Sequence, residues 1–373
     1  MKFKIFLYPV LIFLIIFCID KLSIIPSIQK LGRIENSPLE NIANGVAKIY
    51  KKKKIENELQ TKLLKESSNL TDSKKSAVVL GTSRSDILKF SERDFIQQSK
   101  FITQKEKEKL LQFEIETRSV VKASDFLYHL ILFKNIVDSG YKPNLVIIEV
   151  SPETTNLNSP FHAKTQYTTN ILKYQFLIEL SQIAEKSWLK TVLTSVLFPS
   201  SYYKFKPEKA ISNLIAKKDY LSDNNVIEAY EFFPATAALP TSYEDYEVKS
   251  FPLNKFQERI VDYSNHLHKD NILRNYQIST SELALFDLLL KEIKSSKIPV
   301  VFWRPKVHPY YYAIQMQEGL AEIDSLLENK IKEAGYSYIN LQNTSMNCDF
   351  FTDSSHHSGR CAPEILSKIL STE

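Results

Sequence analysis

Glycine and cysteine are both scarce in this chain of 373 residues, which contains seven glycines and three cysteines. Three cysteines cannot form the disulfide framework that stabilises a small secreted domain. The sequence also lacks the His-Glu-x-x-His, paired Cys-x-x-Cys, phosphate-loop and dinucleotide-binding motifs. We therefore expect neither a metal ion nor a cofactor.

A large excess of one charge is missing too. The formal net charge is +5 and comes from lysines spread along the chain, so no nucleic-acid partner is expected. Hydrophobic residues make up 43% of the sequence, which is enough for a chain of this length to bury a sizeable core and excludes a disordered protein. We expect one large domain, or one domain with an insertion.

The N-terminus carries the longest apolar run. It follows Lys2 and Lys4 and extends from Ile5 to Ile19, which covers ~22 Å of helix at ~1.5 Å per residue. Adding the apolar residues up to position 25 brings it close to the ~30 Å of a hydrocarbon core, and no small-x-small cleavage site follows. The pattern predicts an uncleaved single-pass anchor over residues 5–25, with the rest of the protein on the extracytoplasmic side of the membrane.

The remainder divides into a stalk and a domain. Residues 31–75 are polar with apolar residues at helical spacing, so we predict an anchor over 1–30, a helical stalk or linker over 31–75 and an α/β domain over 76–373. Within 152–280 the strand pattern is interrupted by helical periodicity and aromatic clusters, which predicts a mostly helical insertion. This insertion either caps the active-site edge or packs its aromatics into a core of its own.

Elsewhere in the domain, apolar β-branched runs alternate with helical patterns. Strands are predicted at 77–80, near 113–120, and at 145–150, 300–303 and 338–341; helices are predicted at 124–137, 281–293 and 313–332. Continuous apolar strands separated by helices are typical of a parallel sheet covered on both faces. The expected fold class is therefore an α/β three-layer sandwich with a mostly parallel sheet.

Two short segments carry the chemistry. Ser83 follows the first predicted strand, and Asp353 precedes His356 in an Asp-x-x-His segment near the C-terminus. Ser83 would be the nucleophile, His356 the base and Asp353 the carboxylate that orients the imidazole. His357 competes with His356 as the base, whereas Ser85 is better placed as a helix cap.

These segments resemble the first and last blocks of the SGNH, or GDSL-type, hydrolases. The first block of that superfamily is commonly Gly-Asp-Ser, where this chain has Gly81-Thr82-Ser83. In layout the chain looks most like membrane-anchored bacterial envelope members that esterify alginate or transfer D-alanyl groups to teichoic acids. Over 76–373 the resemblance implies an SGNH/flavodoxin-like fold and an acyl-serine intermediate.

The resemblance also implies an oxyanion hole, made by the amide of the nucleophile, a glycine amide in a second block and an asparagine side chain in a third. No glycine lies in the second region, where Ala123 or Ser124 are the candidate donors. The nearest asparagines in the third region are Asn156, which is the candidate donor, and Asn158. Arg304, at the end of a predicted strand, either holds a carboxylate, a phosphate or the oxyanion, or forms a salt bridge that braces its loop.

Cys348 and Cys361 flank the Asp353/His356 segment, and they either pair in an oxidising compartment or remain free buried thiols. The predicted function is that of a membrane-anchored serine esterase or O-acyltransferase. Its substrate would be an acylated carbohydrate or lipid of the cell envelope, and a membrane acyl-donor protein is a further candidate partner. The alternative is a catalytically degenerate SGNH-like binding or scaffold protein of the envelope.

Overall fold

The computed structural model describes residues 11, 13–18, 20–21, 75–90, 93–119, 125–158, 182, 186, 258, 260–351 and 353–371. The chain divides into two compact units, one formed by 1–49 with 163–234 and the other by 50–162 with 235–373. The sheet, its helices and the candidate site all belong to the second unit, which is described below.

The second unit alternates strands and helices. The strands are β1 (Lys75–Gly81), β2 (Phe113–Ser119), β3 (Leu145–Glu149), β4 (Val300–Arg304) and β5 (Ser337–Asn340). The α-helices are α1 (Arg93–Gln98), α2 (Gln104–Leu110), α3 (Phe126–Asp138), α4 (Thr280–Ser296), α5 (Pro309–Gln317), α6 (Leu320–Glu333) and α7 (Ala362–Leu370). A 3-10 helix, Ser83–Phe90, follows β1, and a π-helix spans Tyr263–Ile272.

The five strands form one parallel sheet in the order β2-β1-β3-β4-β5. The predicted α/β class and the predicted strands are therefore confirmed, with small shifts of their ends. The chain moves from β1 to one side for β2 and to the other side for β3. Ligands of open parallel sheets bind beyond the carboxyl ends of the strands at such a switch point, and Ser83 follows β1 at this place.

Helices pack on both faces of the sheet. On one face, Val79, Ile147 and Trp303 share a buried cluster with Ile365 and Leu366 of α7. This arrangement explains why the runs Ala77–Leu80, Leu145–Ile148 and Val300–Trp303 of the three central strands are apolar throughout rather than alternating, since each of these side chains meets a covered face.

The other face is packed by aromatic rings. Phe286 of α4 lies 4.6 Å from Phe126 of α3 and 6.0 Å from Phe302 of β4, measured between ring centroids. All three rings are buried. The two helices therefore cover this side of the sheet through contacts that the helical spacing of their apolar residues predicts.

Glycines with positive φ end three of the helical segments. Gly140 and Gly335 have φ of 70° and 87°, as expected for the residues after helix C-caps. The single helix predicted over 313–332 is wrong, because the chain forms α5 and α6 with Gly319 between them at φ 79°. Apolar periodicity continues across this break, which is why the pattern alone did not place it.

Three predictions on organisation fall largely or wholly outside the described residues. They are the anchor over 5–25, the stalk over 31–75 and most of the insertion over 152–280. None of the helices in the described part of the chain has the length and apolar character needed to cross a membrane. Both ends of the insertion are described and are helical, at Pro152–Thr155 and at the π-helix.

Candidate active site

The turn after β1 places Ser83 at the start of a 3-10 helix, with its side chain partly buried. Its Oγ lies 2.7 Å from Nε2 of His356, although the two residues are 273 positions apart in the sequence. His356 comes from the loop before α7, and its side chain is 16% exposed. The hydroxyl and the imidazole therefore meet within hydrogen-bond distance at a place that solvent still reaches.

Asp353 holds the far side of the imidazole. Its Oδ2 and Oδ1 lie 2.8 Å and 2.9 Å from Nδ1 of His356. A carboxylate at Nδ1 keeps the proton on that nitrogen, so that Nε2 is free to accept the proton of the Ser83 hydroxyl. The structure thus brings together Ser83, His356 and Asp353, in the geometry of a nucleophile, a base and an orienting carboxylate.

Asp353 remains ionised although it is fully buried. Burial by itself would raise the pKa of this carboxyl, but the neighbouring His356 and the amide of Ser355 together hold the pKa well below its usual range. The backbone amides of Ser355 and His356 both donate to its Oδ1, at 2.8 Å and 2.9 Å. A buried carboxylate held by several donors is rigid, so the imidazole is fixed in one orientation.

A disulfide closes the loop that carries Asp353 and His356. Cys348 and Cys361 are bonded to each other, and both are fully buried in the core cluster under α7. Of the two states that the sequence allows for these cysteines, the structure therefore has the paired one. Because Asp353 and His356 both lie between the two cysteines, the bond limits how far their loop can move.

Replacing both cysteines with serine is expected to lower the free energy of unfolding by about 2–4 kcal/mol, the usual contribution of a bond that closes a loop of this size. Denaturant unfolding of the oxidised protein and of the double variant measures the difference. A reductant should shift the midpoint of the wild type and leave the double variant unchanged. An unshifted wild-type midpoint, with thiol titration showing the bond reduced, would contradict this prediction.

A buried carboxylate at the end of β3 organises the serine turn. Oε2 of Glu149 accepts from the amide of Thr82 at 2.8 Å and from Oγ of Ser85 at 2.6 Å, and its Oε1 accepts from Oγ1 of Thr82 at 2.6 Å. Glu149 is completely buried. Thr82 stands where SGNH hydrolases commonly have aspartate, and it donates two hydrogen bonds to Glu149 of the neighbouring strand. Together with the bond from Ser85, these contacts fix the backbone on either side of Ser83.

Gly81 makes this close approach possible. A Cβ atom at position 81 would lie 1.9 Å from Oγ of Ser85 and 2.7 Å from Oε2 of Glu149. Both atoms belong to the buried network, so neither can move away cheaply. The glycine of the Gly-Thr-Ser segment is therefore needed for space beside Glu149.

Arg84 continues the hydrogen-bond network away from Ser83. Its Nη2 donates to Oε1 of Glu153 at 2.8 Å and its Nη1 to Oγ of Ser151 at 2.9 Å. Burial alone would raise the pKa of Glu153, but the guanidinium of Arg84 lowers it from 4.5 to about 2. The same Oε1 accepts from the hydroxyl of Tyr311 and the amide of Gln315.

Acid is expected to destabilise the fold through Glu153. A carboxyl whose pKa is lowered on folding adds stability above its unfolded value, 4.5, and loses that stability as the pH falls towards about 2. Between about pH 6 and pH 3 the loss from this group is on the order of 2 kcal/mol. Urea unfolding of wild type and Glu153→Gln at both pH values measures it: the variant should be less stable near pH 6, and the difference between the two proteins should be smaller by that amount near pH 3. An equal difference at both values would contradict the prediction.

The other predicted site residues have different surroundings. Ala123 and Ser124 lie outside the described residues. Asn156 is buried; its Nδ2 donates to the carbonyl of Ile272 at 2.6 Å, and its Oδ1 accepts from the amide of Gln277 at 3.1 Å. The Asn156 amide therefore braces the two ends of the insertion against each other, and its proposed part in an oxyanion hole gains no support.

Arg304 is engaged in the way that its structural alternative predicts. It is buried, it forms a salt bridge with Asp324, and its Nη2 donates to Oε1 of Gln315 at 3.2 Å. These contacts brace β4 against α6 and α5, so they favour the bracing role over the substrate-binding one.

The structure also shows the surroundings of His357, the competing candidate for the base, and of Ser85, the expected helix cap. His357 is buried next to Phe351 and lies 3.6 Å from Asp349, whereas His356 is the histidine in contact with Ser83. Ser85 does not cap the helix, because its hydroxyl donates to Glu149. Among the described residues, no group of three or more His, Cys, Asp or Glu side chains is arranged to hold a metal ion.

Sequence reasoning missed Glu149 and Arg84, the two ionisable side chains that support the turn around Ser83. Glu149 ends an otherwise apolar strand, and Arg84 stands between two serines that both make site contacts. A charged residue at the end of a fully buried strand is a signal that it has partners there. The sequence shows such a residue but gives no indication of which groups it contacts.

Comparison with known proteins identifies a family for this chain. A family model described as "Protein of unknown function (DUF1574)" matches residues 1–372. No curated protein matches the chain. With its whole described domain and candidate site inside the matched region, the chain belongs to the DUF1574 family.

Proposed function

We propose that this protein is a membrane-anchored SGNH-like serine esterase or O-acyltransferase. Ser83 attacks the carbonyl carbon of an acyl ester while His356 takes its proton, and the alkoxide of the substrate leaves with that proton. The acyl-Ser83 ester is then cleaved by water, which gives hydrolysis, or by a hydroxyl of a second substrate, which gives transfer.

The observation that carries the proposal is the continuous hydrogen-bonded series from Ser83 through His356 to Asp353. Both distances, 2.7 Å and 2.8 Å, are short enough for proton transfer and for orientation of the ring. The structural alternative is a serine that merely caps a helix. It does not account for a buried, ionised Asp353 aligned behind the imidazole.

The place of the site supports the same proposal. Ser83 follows β1 at the switch point of the sheet, and His356 comes from the loop before the last helix. In the SGNH superfamily, which this chain resembles, the nucleophile and the Asp-x-x-His block occupy these positions on a three-layer sandwich. The serine turn is rigid because Glu149 holds both Thr82 and Ser85, which suits a nucleophile that must be preorganised.

The membrane location belongs to the proposal as well. Phe13, Leu14, Ile15 and Ile16 are helical, and each side chain is about half exposed. Adjacent exposed apolar side chains on a helix suit contact with lipid. We place them in an anchor over residues 5–25 that holds the catalytic domain at the outer face of the membrane, next to acylated envelope carbohydrate or lipid.

Hydrolysis of p-nitrophenyl acetate by the purified protein tests the function. The wild type is expected to hydrolyse the ester, and Ser83→Ala is expected to lower kcat by about 10⁴-fold or more. Ser354→Ala is a matched control: this serine lies in the catalytic loop, is fully buried, and its Oγ has no hydrogen-bond partner. Adding a methyl glycoside as acceptor then separates transfer from hydrolysis by the product that forms.

A second candidate function is binding without turnover, as a scaffold of the envelope. It is favoured because Asn156 and Arg304 are both engaged in bonds within the protein, so neither is available as the oxyanion donor that SGNH hydrolases take from their third block. A wild type that hydrolyses no ester faster than Ser83→Ala would favour this candidate over the enzyme.

A further inference from the structure

His268 is a buried histidine that the proposed chemistry does not use. It lies on the π-helix Tyr263–Ile272, is 3% exposed, and neither of its ring nitrogens has a hydrogen-bond partner. Its ring stacks on Tyr311, with centroids 4.0 Å apart. An imidazole buried in this way costs folding free energy, and π-helical turns occur frequently at functional sites.

The surroundings of His268 connect it to the catalytic network. Tyr311, on which it stacks, donates its hydroxyl to Oε1 of Glu153, and Glu153 binds Arg84 next to Ser83. Burial and the charge of Arg84 lower the pKa of His268 to about 3, against the opposing effect of Asp353. The imidazole is therefore neutral at physiological pH, with one nitrogen that donates a hydrogen bond and one that accepts.

A second unpartnered atom belongs to the same network. Oε2 of Glu153 is buried without a hydrogen-bond partner, whereas Oε1 of the same carboxylate has three donors. Glu153 stays ionised, so this oxygen can only accept. A ligand that satisfies both residues must therefore donate a hydrogen bond to Oε2 of Glu153, and it must both donate to and accept from His268.

Hydroxyl groups meet this requirement, because each one both donates and accepts. A hydrocarbon chain offers neither, and an ionised carboxylate or a phosphate diester has no hydrogen to donate to Oε2 of Glu153. We infer that His268 and Glu153 bind the hydroxyl groups of a carbohydrate whose acyl ester reacts with Ser83. This inference rests on the proposed function and narrows its substrate from carbohydrate or lipid to carbohydrate. The two ring nitrogens of His268 and Oε2 of Glu153 are buried in the structure. The sugar must therefore displace the protein groups that cover these atoms.

The chain offers a matched control in His129. This residue of α3 is 1% exposed, and both of its ring nitrogens also lack partners. Its ring lies 6.3 Å from that of Phe126 and 6.4 Å from that of Tyr128, between centroids, and burial alone lowers its pKa to about 4. His129 therefore has the burial of His268 but no influence from the charges of the site.

The test compares His268→Phe and His129→Phe on two kinds of ester. One is p-nitrophenyl acetate, which has no hydroxyl group, and the other is a set of mono-O-acetylated methyl glycosides of glucose, galactose and mannose. Both variants remove an unsatisfied buried polar group and keep an aromatic ring, so neither should lower the unfolding midpoint. If His268→Phe fails to fold, His268→Leu takes its place.

His268→Phe is expected to lower kcat/KM about tenfold on the best glycoside ester, mainly through KM, and less than twofold on p-nitrophenyl acetate. His268→Gln should recover most of the loss, because its amide still donates and accepts. His129→Phe should match the wild type on both kinds of ester. Equal losses on both kinds, or no loss on either, would overturn the inference while leaving the proposed function in place.

Calorimetric titration of the same glycoside esters into Ser83→Ala gives a readout without turnover. Binding that is weakened about tenfold in Ser83→Ala/His268→Phe supports the inference. Equal binding to the two proteins, or no binding to either, contradicts it. Failure of the proposed function is a separate result, namely a wild type without any hydrolysis that depends on Ser83.

Discussion

Replacing His356 with alanine is expected to lower kcat for ester hydrolysis by about 10⁴-fold or more, close to the effect of removing Ser83 itself. The Nε2 atom of His356 is the proton acceptor 2.7 Å from the hydroxyl of Ser83. Without it the serine stays protonated at neutral pH and is a weak nucleophile. The double variant Ser83→Ala/His356→Ala should be no slower than either single variant, because the two residues act as one unit.

The adjacent histidine provides the control. His357 is buried and packs on Phe351, with its Nε2 3.6 Å from Asp349. His357→Gln should keep kcat within a few-fold of the wild type, because it removes no contact with Ser83. If His357→Gln lost as much activity as His356→Ala, the assignment of the base would be wrong.

Replacing Glu149 with alanine is the second large effect that we expect. The change leaves the Thr82 amide, the Thr82 hydroxyl and the Ser85 hydroxyl without their buried acceptor. Each buried donor that loses its partner costs about 1–3 kcal/mol. We expect a loss of about 3–5 kcal/mol in the free energy of unfolding and a fall in kcat of at least about 100-fold, since the turn no longer holds Ser83 in place. Denaturant unfolding and steady-state hydrolysis measure the two effects.

Glu149→Gln separates positioning from charge. Its oxygen can accept from the Thr82 amide and the Ser85 hydroxyl, while its NH₂ group donates to the Thr82 hydroxyl after that hydroxyl rotates. The glutamine variant should therefore keep most of the stability and activity. Equal damage from alanine and glutamine would mean that the negative charge matters, and not the hydrogen-bonded turn.

The sequence predicts the sheet well because its strands are buried on both faces. Each of the runs over 77–80, 145–148 and 300–303 is continuously apolar and too short for a helix, which is the pattern of a strand covered on both sides. The prediction of one helix over 313–332 was wrong because the same apolar spacing runs through two separate helices. Apolar spacing reports which residues face the core, whereas the break at Gly319 depends on a single backbone angle.

The nucleophile, base and acid could be proposed from sequence because they lie in two short segments with a recognisable order. The side chains that support these three residues could not be proposed from sequence. Glu149, Arg84 and Glu153 gain their roles from contacts between separate strands and loops. The roles of Asn156 and Arg304 also depend on partners, Ile272 and Asp324, that no local pattern indicates.

The most direct measurement is the mass of the protein after reaction with a fluorophosphonate, followed by sequencing of the modified peptide. This reagent reacts with a serine hydroxyl that a neighbouring base has activated. The account predicts one adduct per chain, on Ser83, formed quickly in the wild type and not formed in Ser83→Ala or His356→Ala. An unmodified wild-type protein, or an adduct on any other serine, would contradict it.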